Sequence, residues 1–278
     1  MTTTENQINI SSENIFGKCD LKCAYSFKYT PSSCSATNNN TMIILSYDKS
    51  STPPVTYNNN KYEVSQIQIC APSFHLFNGT TTESEIMIYH TPILGGKELI
   101  VCVPIIQSTS SSASSILLTD IITAVSRGAP KNGDSVNITL TDYTLQNIVP
   151  KKPFYTYSTD SNDYIVFDRE FSIGLSTDIL TILNSVIKPN ENIATGTNIF
   201  FNSIGPNLFN GSDNDIYISC KPTGNSEENI DVTNTKQPIT NDIYKNFNFP
   251  GFLIFGLVFI VTLILINYLL NYMGKLKK

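Results

Sequence analysis

Three short segments, residues 62–70, 85–90 and 99–105, alternate in the manner of β-strands, and they hold or flank the only two histidines, His75 and His90. Residues two apart in a strand face the same way. Gln66, Gln68 and Cys70 therefore share one face of the first segment, with Ile67 and Ile69 on the other. By the same parity Glu85, Met87 and Tyr89 share a face of the second, and Cys102 alternates with valines in the third.

This pattern is similar to the zinc-binding heart of the α-carbonic anhydrases. There, Gln-x-His-x-His on one strand and Glu-x-His on its neighbour bring three imidazoles to one metal. The matching positions here are Gln68, Cys70 and Met87. Neutral imidazoles leave the full dipositive charge on zinc, which lowers the pKa of its bound water to about 7. An amide oxygen and a thioether are poor zinc ligands, and one thiolate does not hold the ion alone. The resemblance therefore implies a scaffold without its metal: no zinc, no cofactor and no enzymatic activity are expected.

The supporting groups of the family are matched better. Its serine–acid–histidine segment corresponds to Ser73, Phe74 and His75, and the glutamate and tyrosine that join this histidine correspond to Glu85 and Tyr157. Gln66, Ser73, His75, Glu85 and Tyr157 are thus expected as a retained structural network, since a buried, satisfied network fixes a unique core. His75 and His90 are expected as structural histidines. The family's Gly-Ser-Leu-Thr-Thr-Pro-Pro turn, whose threonine orients the attacking hydroxide, is missing; residues 158–163 leave only Thr159 as a counterpart. No tryptophan is present.

The resemblance extends outward from this centre. Residues 6–10 resemble the family's entry segment. A serine-rich connector at 108–115 leads into a helix predicted over 116–125, with Leu117, Ile121 and Val125 at helical spacing and Asp120 in an early turn. A second helix is predicted at 176–186, capped by Ser176 or Thr177, and a last strand at 215–220. The expected fold is mainly β (α+β): a central twisted, mostly antiparallel sheet with peripheral helices in one head domain, residues 1–223, plus one C-terminal transmembrane helix.

That helix is expected because residues 252–270 carry no charge and include Phe252, Leu257, Ile260, Leu263, Ile266 and Leu270. As a helix they span about 28 Å, close to the hydrocarbon thickness of a bilayer. The membrane segment is placed at 249–272, with Tyr268 and Tyr272 as interfacial aromatics and a short basic tail at 273–278. Residues 224–248 are polar without apolar periodicity and read as a stalk. The first residues have neither a basic start nor an apolar stretch, so no secretory signal is expected. A tail-anchored topology follows, with the head on the cytosolic side. The combination of carbonic-anhydrase-like head, lost histidines and C-terminal anchor resembles the acatalytic membrane-anchored proteins of large DNA viruses, among them the poxvirus cell-surface-binding proteins.

Charge narrows the partners. Three of the 18 basic residues lie in the last four positions, so the part before the anchor carries −8 where the whole chain carries −5. Sulfated glycans and nucleic acids need a basic surface, and Lys151-Lys152 is the only basic pair there. No nucleic-acid partner is expected. Besides the bilayer, other virion or capsid proteins are, with the head as a structural or binding module on a virion membrane. Attachment to a host glycosaminoglycan is the alternative, and an atypical carbonic anhydrase the third. No Gly-x-Ser-x-Gly elbow or Gly-rich phosphate loop supports other chemistry. Of the six cysteines, Cys19, Cys23 and Cys34 cluster and can pair in ways the sequence does not choose among, whereas Cys102 reads as a buried thiol. The five Asn-x-Ser/Thr sites are ordinary in so asparagine-rich a chain and are expected bare on a cytosolic head.

Overall fold

The computed structural model describes residues 6–207 except 21, 141 and 142. The stalk, the membrane segment with Phe252, Leu257, Ile260, Leu263, Ile266 and Leu270, the basic tail and the strand expected at 215–220 lie outside the described residues. Among the described residues no helix is long and apolar enough to cross a membrane.

The alternating segments do form strands, and they occupy the middle of a 13-stranded sheet. Asn60–Cys70 pairs antiparallel with Ser84–Pro92, which pairs antiparallel with Glu98–Gln107. On one side the sheet continues through Met42–Leu45 and Cys34–Asn38 to Ser135–Ile138. On the other it continues through Asn162–Phe167, Phe154–Ser158 and Ile199–Asn202 to Ile15–Lys18. Pairing is mostly antiparallel. The exceptions are Glu98–Gln107 against Asn162–Phe167 and Ile173–Leu175, and Ile199–Asn202 against Ile15–Lys18.

Asparagines set several turns. Asn58 and Asn59 both have positive φ, 47° and 66°, in the two-residue loop between Val55–Tyr57 and Asn60–Cys70. Asn78-Gly79 does the same between Leu76–Phe77 and Thr80–Thr81, with φ of 50° and 84°. A mirror-image turn needs positive φ at both central residues, and Asn and Gly reach it most cheaply.

Two helices lie on one face. Helix α1, Ala113–Gly128, begins earlier than its apolar periodicity suggests. Ser112 takes an extended conformation and its side chain accepts from Ser115 N, so the helix starts inside the serine-rich connector. Asp120 consequently lies in mid-helix rather than in an early turn. Helix α2, Thr177–Val186, is capped by Ser176, whose hydroxyl accepts from Ile179 N. Leu118, Ile121, Ile122 and Val125 of α1 and Leu183 of α2 are fully buried against Ile67, Ile69, Ile88, Val101 and Val103 of the central strands. The opposite face carries a smaller buried cluster that includes Cys70, Met87, Ile100, Cys102, Tyr157 and Tyr164. Strand parity decides this division at the C-terminal end of the first central strand, where Ile67 and Ile69 supply the large core and Cys70 the small one; a register shift between Tyr89 and His90 puts Tyr62 and Val64 on the large-core side as well.

Candidate functional site

Residues 71–85 fold back against the small cluster and carry His75 into it. The chain leaves the first central strand at Cys70 and turns at a cis Ala71–Pro72 peptide. Ser73 then braces the turn, its hydroxyl donating to His75 O (2.7 Å) and accepting from Thr82 N (2.9 Å). The Ser84 hydroxyl donates to Cys70 O at 2.6 Å, tying the two strand ends together.

His75 and Glu85 are both fully buried. One carboxylate oxygen of Glu85 accepts from the backbone N–H groups of Phe74 (2.7 Å) and His75 (3.1 Å). The other lies 2.7 Å from His75 Nδ1, which donates to it. The Tyr157 hydroxyl is 2.8 Å from His75 Nε2. Burial first, then the neighbouring Cys102, Tyr164 and Glu85, push the Tyr157 phenol well above its ordinary range. It therefore keeps its proton and donates it to Nε2. Each imidazole nitrogen thus has one partner, and each carboxylate oxygen at least one. Rings of Phe74, Phe77, Tyr157 and Tyr164 stand edge-on around the imidazole with centroids 5.4 to 6.5 Å away. Tyr157 stacks on Tyr164 at 4.5 Å. Gly196 lies under Tyr157, where an added Cβ would come within 2.7 Å of the ring.

The structure thus joins Ser73, His75, Glu85 and Tyr157 in one hydrogen-bonded chain. Gln66 sits half-buried opposite Tyr89, and among the described residues no hydrogen bond links it to the other four. Thr159 belongs to the hairpin turn between Phe154–Ser158 and Asn162–Phe167: its N–H donates to Asn162 O at 2.8 Å, and its carbonyl accepts from Lys97 Nζ. Those contacts tie it to the turn, and among the described residues no hydrogen bond links it to His75 or Glu85. His90 lies on the other face, with Nδ1 donating to Leu99 O (3.1 Å) and Nε2 accepting from the Tyr29 hydroxyl (2.9 Å). Burial lowers its pKa from 6.5 to about 4, so it is neutral.

Three side chains the chemistry of metals could use meet here. Ligand atoms of His75, Glu85 and Cys102 all lie within 4.8 Å of one another. Cys102 was legible in sequence only as a buried thiol. Its nearness to the pair follows from register, because it faces Met87 across the strand pair. Of the three positions that correspond to zinc ligands, Gln68 is the direct cross-strand partner of Met87, and Cys70 is that of Glu85.

These residues do not fit zinc. Both nitrogens of His75 are committed, one to Glu85 and one to Tyr157. Burial, with the Glu85 charge behind it, pushes the Cys70 and Cys102 thiols up, so neither offers a ready thiolate. Among the described residues no buried side-chain nitrogen or oxygen lacks a hydrogen-bond partner, so no orphaned donor or acceptor marks a place for a divalent ion. Elsewhere, Cys19 and Cys23 form a disulfide with Cα atoms 5.4 Å apart, while Cys34, Cys70 and Cys102 are free and buried.

No family model matches the chain, and no curated protein matches it by sequence. Solved structures resemble it in shape. A hyperthermostable carbonic anhydrase from a hydrothermal vent chimney is 19% identical with a TM-score of 0.57, over 71% of this chain and 86% of its own. The α-carbonic anhydrase of Thermovibrio ammonificans, solved with sulfanilamide, gives 17%, 0.57, 71% and 85%. Dioscorin, solved with ascorbate, gives 14%, 0.57, 73% and 87%. The described part of this chain has a carbonic-anhydrase-like fold, and it carries a His75–Glu85–Cys102 cluster rather than a three-histidine site.

Proposed function

We propose that the protein is a non-enzymatic, membrane-anchored virion protein whose head uses a degenerate carbonic-anhydrase-like domain as a structural or binding module. One observation supports the absence of carbonic anhydrase activity: the positions that match the zinc ligands hold Gln68, Cys70 and Met87, and the two histidines are both engaged elsewhere, His75 by Glu85 and Tyr157 and His90 by Leu99 and Tyr29. A metal-bound hydroxide needs a cation with an open coordination position, and this donor set does not supply one. What the fold retains is the hydrogen-bonded frame, which fixes the sheet around it.

The uncharged stretch at 252–270 supports anchoring in a bilayer, and the charge of −8 before it favours protein partners over sulfated glycans. The head faces the capsid side of the virion membrane and contacts capsid or other membrane proteins. Full-length protein in detergent is expected to contain well under one zinc per chain and to leave carbon dioxide hydration at the uncatalysed rate. Stoichiometric zinc together with accelerated hydration overturns the reading. Its membrane part is tested by alkaline carbonate extraction: release of the full chain into the soluble fraction sinks it.

A further inference from the structure

The last strands of the sheet, Phe154–Ser158, Ile199–Asn202 and Ile15–Lys18, meet at one corner. Phe154 pairs with Asn202, and Phe201 with Lys18. Lys151 and Lys152 therefore enter this corner just before Phe154, and Ser203 and Ile204 leave it just after Asn202. The disulfide turn that follows Lys18 is held against them. Cys19 N–H donates to Phe201 O (3.0 Å), and Asn202 Nδ2 donates to Cys23 O (3.0 Å). The Asp20 carboxylate accepts from Ser203 N (2.6 Å) and Oγ (2.9 Å). At Gly205 an added Cβ would come within 2.8 Å of the Lys152 carbonyl. Lys18, Lys22 and Phe200 line one cleft of about 530 Å³ with both cysteines of the disulfide.

What this corner exposes sets it apart from an acidic head. Lys18, Lys22, Lys151, Lys152 and Arg169 are all exposed. The carboxylates beside them are Asp20, held by Ser203, and Asp168 and Glu170, which flank Arg169. The part of the chain before the uncharged stretch carries −8 as a whole. Apolar groups stand among these cations. Phe16 shares the exposed side of the outermost strand with Lys18 and is 67% exposed, and Ile204 is 61% exposed. The Phe16 ring stands edge-on to Phe200, with centroids 5.6 Å apart. Such a mixture suits the boundary of a bilayer. Aromatic and aliphatic side chains enter it, while flexible lysine stems keep their ammonium groups at acidic headgroups. A sulfated polysaccharide would answer the lysines but not the protruding Phe16 and Ile204.

We infer that this corner docks on an acidic lipid surface, through Phe16 and Ile204 and through Lys18, Lys22, Lys151 and Lys152. The inference rests on the membrane-anchored reading, which supplies the bilayer. The described residues also end here, at Asn207, whose N–H donates to Tyr25 O (2.9 Å). Acidic phospholipids charge the cytoplasmic leaflet, the side on which the expected topology puts the head. The head then lies on the membrane instead of standing off from it.

The test embeds the full-length chain in lipid nanodiscs of phosphatidylcholine, with or without phosphatidylserine. Acetylation of each lysine is followed by mass spectrometry. On the acidic discs Lys18, Lys22, Lys151 and Lys152 should react about fivefold more slowly than on the neutral ones, the factor one lysine gains near an acidic surface. Lys97, before Glu98–Gln107, and Lys131, before the opposite edge strand Ser135–Ile138, should react equally on both. High salt should remove the protection. The Phe16→Ser, Ile204→Ser double variant, changed only at exposed positions and so expected to fold, should weaken it. Equal reactivity of the four lysines on both discs overturns the surface. So does protection that Lys97 and Lys131 share, or that the double variant leaves unchanged. Protection by dissolved heparin, with none from phosphatidylserine, assigns the lysines to a sulfated glycan and overturns it as well. Failure of the chain to enter either disc sinks the anchored reading and the surface with it, whereas entry without protection sinks the surface alone.

Discussion

The two faces of the central sheet each bury one histidine completely, and they treat it differently. On the helix-covered face, His90 sits among Tyr29, Leu99 and aliphatic side chains, with one carbonyl and one phenol as its partners. On the other face, His75 lies in a chain of hydrogen bonds that runs from the backbone at Phe74 through Glu85 and the imidazole to Tyr157. The first histidine is a polar group accommodated by a large apolar core. The second is the centre of a polar network around which a smaller core has closed. A satisfied histidine is therefore not one thing: its partners decide whether it reports on protonation or on the integrity of a network.

The largest expected effect separates the two faces directly. Glu85→Ala leaves His75 Nδ1 and two backbone N–H groups without an acceptor, and should cost about 3–5 kcal/mol in urea denaturation. A loss below about 1 kcal/mol would mean that the network does not organise its face.

His90 gives the pH dependence. Its pKa in the folded protein is about 4, against 6.5 for the ordinary side chain. Between these values the unfolded chain binds a proton that the folded chain refuses, so stability falls as pH drops from 6.5 towards 4 and this contribution levels off below. For one group the slope is about 1.4 kcal/mol per pH unit, or about 3 kcal/mol across the window. Denaturation curves at several pH values, compared with those of His90→Gln, isolate the contribution. Identical profiles for the two proteins would show that His90 is not the titrating group.

A packing change comes next. Gly196→Ala drives a methyl into the Tyr157 ring, where the neighbouring Tyr164 stack leaves little room to move. It should cost about 1–3 kcal/mol, as overpacking usually does, and shift the near-ultraviolet tyrosine signal. The smallest effect is expected from Tyr157→Phe, which removes only the hydroxyl that donates to His75 Nε2. About 1 kcal/mol is expected, and a neutral outcome would place the weight of the network on Glu85 alone.

Much of the site was legible before any coordinates. The alternation of residues 66–70 and 85–90 showed which side chains share a face, and Ser73, His75, Glu85 and Tyr157 could be named from their resemblance to a known arrangement; the register shift that turns Tyr62 and Val64 to the face of Ile67 was not visible in that alternation. Other features were not legible for identifiable reasons. The start of α1 was set by a single serine within a run of serines, each a chemically equivalent cap until the backbone chose Ser112. Gln66 shared the right parity, but a parity rule says nothing about reach, and among the described residues no hydrogen bond joins it to the group. Cys102 looked like one more apolar strand residue until the register set it opposite Met87. The disulfide between Cys19 and Cys23 likewise required the distance between two backbones.

The sequence by itself determined the chemical inventory: two imidazoles, no three-histidine ligand set, and a period-two pattern that sorts each strand into an inner and an outer face. Side-chain identity and local periodicity are properties of the chain, so they can be read from it. Only the tertiary structure decided which inventory members meet. Strand register and the fold-back of residues 71–85 brought Glu85 to His75 and placed Cys102 within 4.8 Å of both. Those are long-range contacts, set by how the whole sheet minimises exposed apolar surface and unsatisfied polar groups, and no local stretch of sequence contains them.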